Sequence, residues 1–559
     1  MNLSKHAGIS RSIAALVVII VLVVAGVALY FTISTSSTTT STSSTTTSTS
    51  STSNSTASSV LNMDLFGGIG TLDPAIGSDY EQFTAYINLY DNLITQTPNG
   101  APAPNVAYEW SVSSNGLTYV LTIHSGITFH SGDIMSAADV VFSMQRNLAL
   151  QQGVASDWLP ELTSSGVTMV NSTAVQFQLT KPFAPFLGSL SLLFIVDKNL
   201  VMQHLTNVTS TNPMGDWGTG WLTTNDAGSG PYMLQNWQRD TVLTLTKFGG
   251  FWKGWASNPQ AFQTIKFDSI TTEATILSLA KEGQMNWVGT YVSVPTYQSL
   301  KSMGWTWGTY ASPQLFDLMI NTQSPPLNNV FLRRALSYAF NYSEMPILAP
   351  GAVQSEGPVA NTYQYHDPNV FVYRTNITAA KAEFALSGLN PATTTITITY
   401  VSGSITEQEI AEEFQKDVEN ALGITVNIAV QTWETFTQLA AHASTSPQIV
   451  TVYTATLYPD TDTYFYPFYD SLANGTWASA EWVDNSTINN LISQEENTSN
   501  TTLRQQIFNQ LQVDIVNLAP DIFCFNSPSY VALSPNVGGY VYYNQFSFDS
   551  YMYNIKNLG

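Results

Sequence analysis

Apolar and polar residues alternate from Leu117 to Ile123, with Leu117, Tyr119, Leu121 and Ile123 on one face, which predicts a half-buried strand. The turn dipeptides Ser125-Gly126 and Ser131-Gly132 then divide the chain, so a second short strand is expected between them. At Ser136 the period changes. Val140, Val141, Met144 and Leu148 recur at helical spacing, and Ser136 with Asp139 three residues on makes a capped start. Downstream, Phe331, Leu332, Ala335, Leu336, Ala339 and Phe340 form one stripe behind a cap at Asn328 or Asn329, which leaves Arg333 and Arg334 on the other face, salt-bridged or solvated. Thr395 to Val401 alternates as a strand; Ile410, Phe414, Val418 and Leu422 mark a helix ended by Gly423; Ile424, Val426, Ile428 and Val430 alternate again. Strand, helix and strand in that order make a βαβ unit and hence a parallel pair. Leu503, Ile507, Leu511 and Leu518 mark a last long helix before Pro520, and a short strand holding Cys524 follows.

The N-terminal pattern differs in kind. Lys5 and Arg11 precede an uncharged run from Ser12 to Phe31, which at about 20 residues is the length that crosses a bilayer core as a helix. It reads as a membrane span or an uncleaved signal over 1–33, and the position of the basic residues puts the rest of the chain outside the cell. Ser34 to Ser53 contains only Ser and Thr, a composition that forms no core and suits an O-glycosylated stalk over 34–60. N-x-S/T sequons at Asn54, Asn171, Asn207, Asn341, Asn376, Asn474, Asn485, Asn497 and Asn500 fit an extracellular glycoprotein.

Composition narrows the partners. With 39 acidic and 18 basic residues the net charge is −21, which argues against nucleic acid or an anionic lipid surface. Only 10% of residues are charged, far below the usual share of about 25%. Few Lys and Arg limit positive self-repulsion when carboxylates protonate below about pH 3, so the surface suits an acid habitat; a merely neutral-polar exterior is the alternative. Cys524 is the only cysteine and lies in the apolar run "DIFCF", a core position.

The run from Gly116 to Phe142, with Leu117, Thr118, Tyr119, Leu121, Gly126, Phe129, His130, Gly132, Ala138, Asp139 and Val140, resembles the solute-binding proteins of ABC transporters in the oligopeptide and dipeptide class. Further likenesses follow in the same order: "TLDPA" (Thr71 to Ala75), "LYDNLITQTPNG", "KPFAPFL" (Lys181 to Leu187), the "GSGPY" hairpin with Tyr232, Leu234, Leu243 and Leu245, and the helix from Met319 to Asn341. The charged lead "ISRS" before a long apolar helix also resembles the pilin-type signals of archaeal sugar-binding proteins. The resemblance implies an α/β, three-domain, type II periplasmic-binding-protein-like fold, with two lobes closing at a hinge beside a small β-rich domain. By motif, the first lobe takes 61–90, 225–320 and 520–559, the small domain 91–224, and the second lobe 321–519. It implies an extracellular binding component of an importer, without cofactor or catalysis, anchored in the cytoplasmic membrane and serving a permease and its ATPase.

Catalytic and metal signals are thin. His124, His130 and Asp133 do not form a metal-ligand pattern, and no nucleophile elbow stands in strand-to-helix context. Asp460 and Asp462 in "YPDTDTY" are the nearest carboxylate pair for glycoside hydrolysis. In the peptide-binding members an Asp four residues ahead of the Pro of this loop holds the peptide amine; alignment on Pro459 puts Ala455 there. Aromatic surface is abundant, with 13 Trp, 27 Tyr and 27 Phe. The expected ligand-contact residues are Tyr453, Thr454, Tyr458, Asp460, Trp433, Trp287 and Trp221, and the expected solute is an oligosaccharide or an oligopeptide. An extracellular glycoside hydrolase or a surface-layer structural protein are the competing readings.

Overall fold

The computed structural model describes residues 59–559 except 66–67, 98–100, 159–160, 290–291, 457, 499 and 543–549. The N-terminal apolar run, the Ser/Thr stretch and the Asn54 sequon lie outside the described residues. Within them, no helix is long and apolar enough to cross a membrane.

Two large sheets carry the chain. The seven-stranded sheet runs in the order Thr306–Tyr310, Ser529–Leu533, Trp287–Val288, Val60–Leu65, Thr264–Ser269, Val242–Lys247 and Tyr232–Gln238. The six-stranded sheet runs Val353–Gln354, Asp521–Asn526, Leu315–Ile320, Ile449–Thr454, Thr395–Val401 and Thr425–Gln431. The last two are parallel, with Thr395 opposite Thr425, and the helix Ile405–Leu422 between them ends at Gly423 in the left-handed region, as its pattern predicts. A four-stranded antiparallel sheet, Ala107–Val112, Thr118–Ile123, Ala174–Leu179 and Leu162–Asn171, forms the smaller unit.

Local signals account for most elements. Tyr119, Leu121 and Ile123 are buried on one face of their strand. The helix Ala137–Leu150 starts at Ser136 with a full capping box to Asp139. The second strand expected after Gly126 shrinks to a single bridge between Thr128 and Ile134, because two turns so close leave no length for a ladder. Asp73 of "TLDPA" is ion-paired with the buried Arg146 of that helix, tying the opening motif to the small domain. Gly228 and Gly230 lie against the end of the helix Tyr80–Leu89; a Cβ on Gly228 would sit 1.9 Å from the Leu89 carbonyl oxygen, so only glycine fits.

Two expectations need correction. The strands Leu315–Ile320 and Asp521–Asn526, placed by motif in the first lobe, pair with each other inside the six-stranded sheet. Arg333 is neither solvated nor salt-bridged: it is 2% exposed and donates to the carbonyls of Leu327, Leu518 and Ala519, closing the end of the helix Thr501–Leu518. The last carbonyls of a helix have no partner within it and carry its negative end, so a guanidinium is a suitable cap.

Candidate functional site

The chain passes between the two large sheets at two places that touch. After Tyr310 it crosses through 311–314 to Leu315, and after Asn526 it returns through Ser527 and Pro528 to Ser529. Ser527 N–H donates to the Gln314 carbonyl at 2.8 Å, so the crossings form one bonded pair. Tyr464 donates its hydroxyl to the Pro313 carbonyl and so pins the pair from the six-stranded side.

Aromatic rings gather on both sides of this junction. From the seven-stranded side, Trp287 meets Tyr540 edge-on at 5.1 Å, Tyr540 meets Tyr310 at 5.6 Å, and Tyr310 stacks on Tyr542 at 5.0 Å. From the six-stranded side, Tyr363 meets Tyr464 at 5.2 Å and donates its hydroxyl to the Tyr458 carbonyl at 3.4 Å. Tyr453 packs edge-on to Phe316 at 4.7 Å, and Phe316 stacks on Phe525. Such rings offer flat apolar faces with hydroxyl edges, which suits contact with peptide planes or sugar rings.

The residues singled out from sequence fall in different places. Tyr458 leaves the six-stranded lobe and is buried in the core shared by the seven-stranded sheet and the small domain, over Gly188. Its hydroxyl donates to Asp462 at 3.1 Å. Thr454 is buried beside Asp317, with 3.5 Å between Oγ1 and Oδ2. Asp460 accepts both terminal nitrogens of Arg504, at 3.0 and 2.7 Å, and Arg504 also holds Glu495 at 2.8 Å, so the Asp460 oxygens are engaged within the protein. Trp287 is buried at the base of the aromatic group. Trp433 packs on Phe436 and Trp477 of its own lobe, and Trp221 stacks on His204, so neither ring contact joins the group at the junction. Tyr310, Tyr363, Tyr464, Tyr540 and Tyr542 were not singled out; for Tyr540 and Tyr542 the run "GGYVYY" behind a Gly-Gly turn was an available signal.

Burial shapes the charges here. Asp462 and Glu495 are both pushed above the usual carboxylate range by burial, and Asp462 Oδ1 and Glu495 Oε1 find no donor as ionised groups. The pair is satisfied when one carboxyl keeps its proton and donates it to the other. A second buried set is Asp317, Glu481 and Asp521, all three raised by burial; Asp317 and Glu481 line a cavity of about 10 Å³ together with Thr454 and Tyr469. His130, weighed as a metal ligand, lies 2.7 Å from Asp226 and 3.0 Å from the Gly230 carbonyl, as scaffold. Among the described residues no group of His, Cys, Asp and Glu has the arrangement to hold a metal ion.

Residues 101–476 match the family described as bacterial extracellular solute-binding proteins, family 5 Middle. The chain belongs to this family. The dipeptide-binding protein of Escherichia coli is 25% identical over 495 residues, covering 83% of this chain and 88% of its own length. The dipeptide-binding protein of a Pseudoalteromonas species, solved with Met-Leu, shares the fold with a TM-score of 0.79 at 19% identity, over 89% of this chain and 100% of that one. The periplasmic binding protein DppA of Helicobacter pylori, solved with the peptide STSA, gives 0.78 at 21% identity, over 90% and 99%. The multi-domain type II-like architecture expected from the motifs is therefore the architecture present.

Proposed function

We propose that this chain is the extracellular capture subunit of an ABC importer that encloses a short peptide between its lobes and delivers it to a permease driven by a separate ATPase. The lobes divide as 59–90, 225–312 and 527–559 against 313–526, with the small domain at 91–224. The observation that carries this reading is the aromatic group on both sides of the bonded double crossing, where rotation about two short segments opens or closes the space between the sheets. The relatives solved with Met-Leu and with STSA support a peptide. Family membership favours binding over the hydrolase and surface-layer readings. The apolar N-terminal run and Ser/Thr stretch fit a tether that holds the domain outside the membrane.

Ala455 favours a second reading. Without a carboxylate at that position, a peptide amine enclosed here lacks its usual counter-charge, and an unpaired ammonium in a closed cleft costs several kcal/mol. An N-blocked peptide or a neutral oligosaccharide meets no such penalty. A thermal-shift panel of free di- to pentapeptides, N-acetylated peptides and oligosaccharides tests both, since a ligand that binds only the folded state raises the midpoint. A rise with free peptides supports the first reading and a rise with N-acetylated peptides or sugars alone the second; no rise with any member overturns capture of either class.

A further inference from the structure

Eight of the sequon asparagines lie among the described residues, and the fold treats them in two ways. Asn171, at the turn between the strands Leu162–Asn171 and Ala174–Leu179, is exposed. Its Oδ1 accepts the Thr173 N–H at 2.9 Å and the Thr173 hydroxyl at 3.1 Å, while its Nδ2 bonds nothing among the described residues. Asn376 and Asn500 are exposed helix caps that likewise engage only Oδ1, with the N–H of Ala379 and of Leu503. Asn207 is exposed in a loop, at a φ of 58°, with neither side-chain atom bonded among the described residues. The other four differ. Asn474 Nδ2 donates to the Val483 carbonyl at 3.2 Å, Asn497 Nδ2 to the Ser493 carbonyl, and Asn341 Nδ2 to Glu344 at 3.5 Å, beside the buried Tyr342. Asn485 is half-buried in its cap.

A second observation singles out the same four. Each exposed asparagine has a large apolar side chain open to water beside it: Met169 and Val170 before Asn171, Val208 after Asn207, Ile377 after Asn376, and Leu503, whose N–H Asn500 holds. Leu472 is exposed too, but the nitrogen of Asn474, two residues on, is already bonded. We propose that Asn171, Asn207, Asn376 and Asn500 carry N-linked glycans and the other four do not, the glycans covering apolar surface on a chain with only 10% charged residues to keep it hydrated. In the transfer, Nδ2 attacks C1 of a sugar held on a lipid-linked phosphate donor. The C1–N bond forms, the C1–O bond breaks, the lipid phosphate leaves with the electron pair, and Nδ2 gives up one proton. A nitrogen that already donates to a protein oxygen, or one half-buried in its cap, admits that product only by breaking the contact. Two of the four sites lie in the small domain and two in the six-stranded lobe, while 59–90, 225–312 and 527–559 hold no sequon, so the seven-stranded lobe stays bare.

Glycopeptide mass spectrometry of the full chain purified from its own host tests this. Peptides holding Asn171, Asn207, Asn376 and Asn500 should carry a glycan that fragmentation places on the asparagine, and those holding Asn341, Asn474, Asn485 and Asn497 should show the unmodified amide. Two variants made in the same host add an independent readout. Thr173→Val keeps Asn171 but removes the hydroxyl of its sequon, and Asn207→Gln removes an acceptor whose side chain holds nothing in the fold; each should lower the intact mass by one glycan. Should either variant fail to accumulate, the map of the unaltered chain decides alone. An unmodified amide at any of the first four sites, a glycan at any of the second four, or an intact mass in either variant that falls by no glycan overturns the proposal.

Discussion

Arg504 is the residue on which the loop after the strand Ile449–Thr454 depends. Its guanidinium holds Asp460 in a two-bond fork and Glu495 through a further pair of contacts, all within a buried region. Replacing Arg504 by Met leaves two carboxyls without a cation, which should cost about 3 to 5 kcal/mol at pH 7. Burial raises the affinity of Glu495 for a proton, so acid removes its uncompensated charge and the loss should be smaller at pH 4. Urea unfolding of the variant at the two pH values checks this, and an equal loss at both would show that packing, not charge, is what Arg504 supplies. Asparagine makes a related point. Asn376, Asn485 and Asn500 were read as glycosylation acceptors, but each side-chain oxygen accepts a helix N-terminal N–H, so the same residue and its neighbouring Ser or Thr also signal a cap.

Elements whose signals are local form where those signals place them. Ser136→Ala removes one side of a capping box and should cost about 1 kcal/mol, read as faster amide exchange at Ala138 and Asp139 without loss of the fold. The helices at Val330–Ala339 and Ile405–Leu422 and the parallel pair beside the latter were equally legible, because periodicity, cap and stop agree within one stretch. What periodicity does not carry is the identity of the covering partner. The stripe on the helix Val330–Ala339 shows which face meets the core, yet Arg333 on the remaining face is buried by the end of a helix nearly two hundred residues on. Likewise Leu315–Ile320 is buried at every position, which marks it as central but not in which sheet. The aromatic group was least legible: Trp287, Tyr310, Tyr458 and Tyr540 converge only once two sheets and a return crossing are in place. Trp221 and Trp433, as conspicuous in the sequence, found neighbours in His204 and Trp477 instead.

At the scale of the whole molecule, buried carboxyls set the response to pH. Burial pushes Asp64 up to about 7, although its Oδ1 accepts the Gly289 N–H. Glu407, held by the Thr451 hydroxyl and the Val401 N–H, is likewise pushed up to about 7 by burial. Both values lie above those of the unfolded chain, so the folded state binds these protons more tightly. Their contribution is complete below about pH 4 and is lost as pH rises toward 7, on the order of 3 kcal/mol each. Scanning calorimetry should therefore show the unfolding midpoint falling from pH 4 to pH 8, and Glu407→Gln should shallow that fall; a midpoint that rises over the range would contradict it. This direction agrees with a chain poor in Lys and Arg. The central claim remains capture of a small solute between two lobes, and native mass spectrometry of the full chain purified from its own host tests it most directly. The account predicts an added mass of peptide or sugar size that is released on unfolding and identified in the released fraction; a bare chain that also takes up no peptide or sugar offered to it would contradict the account.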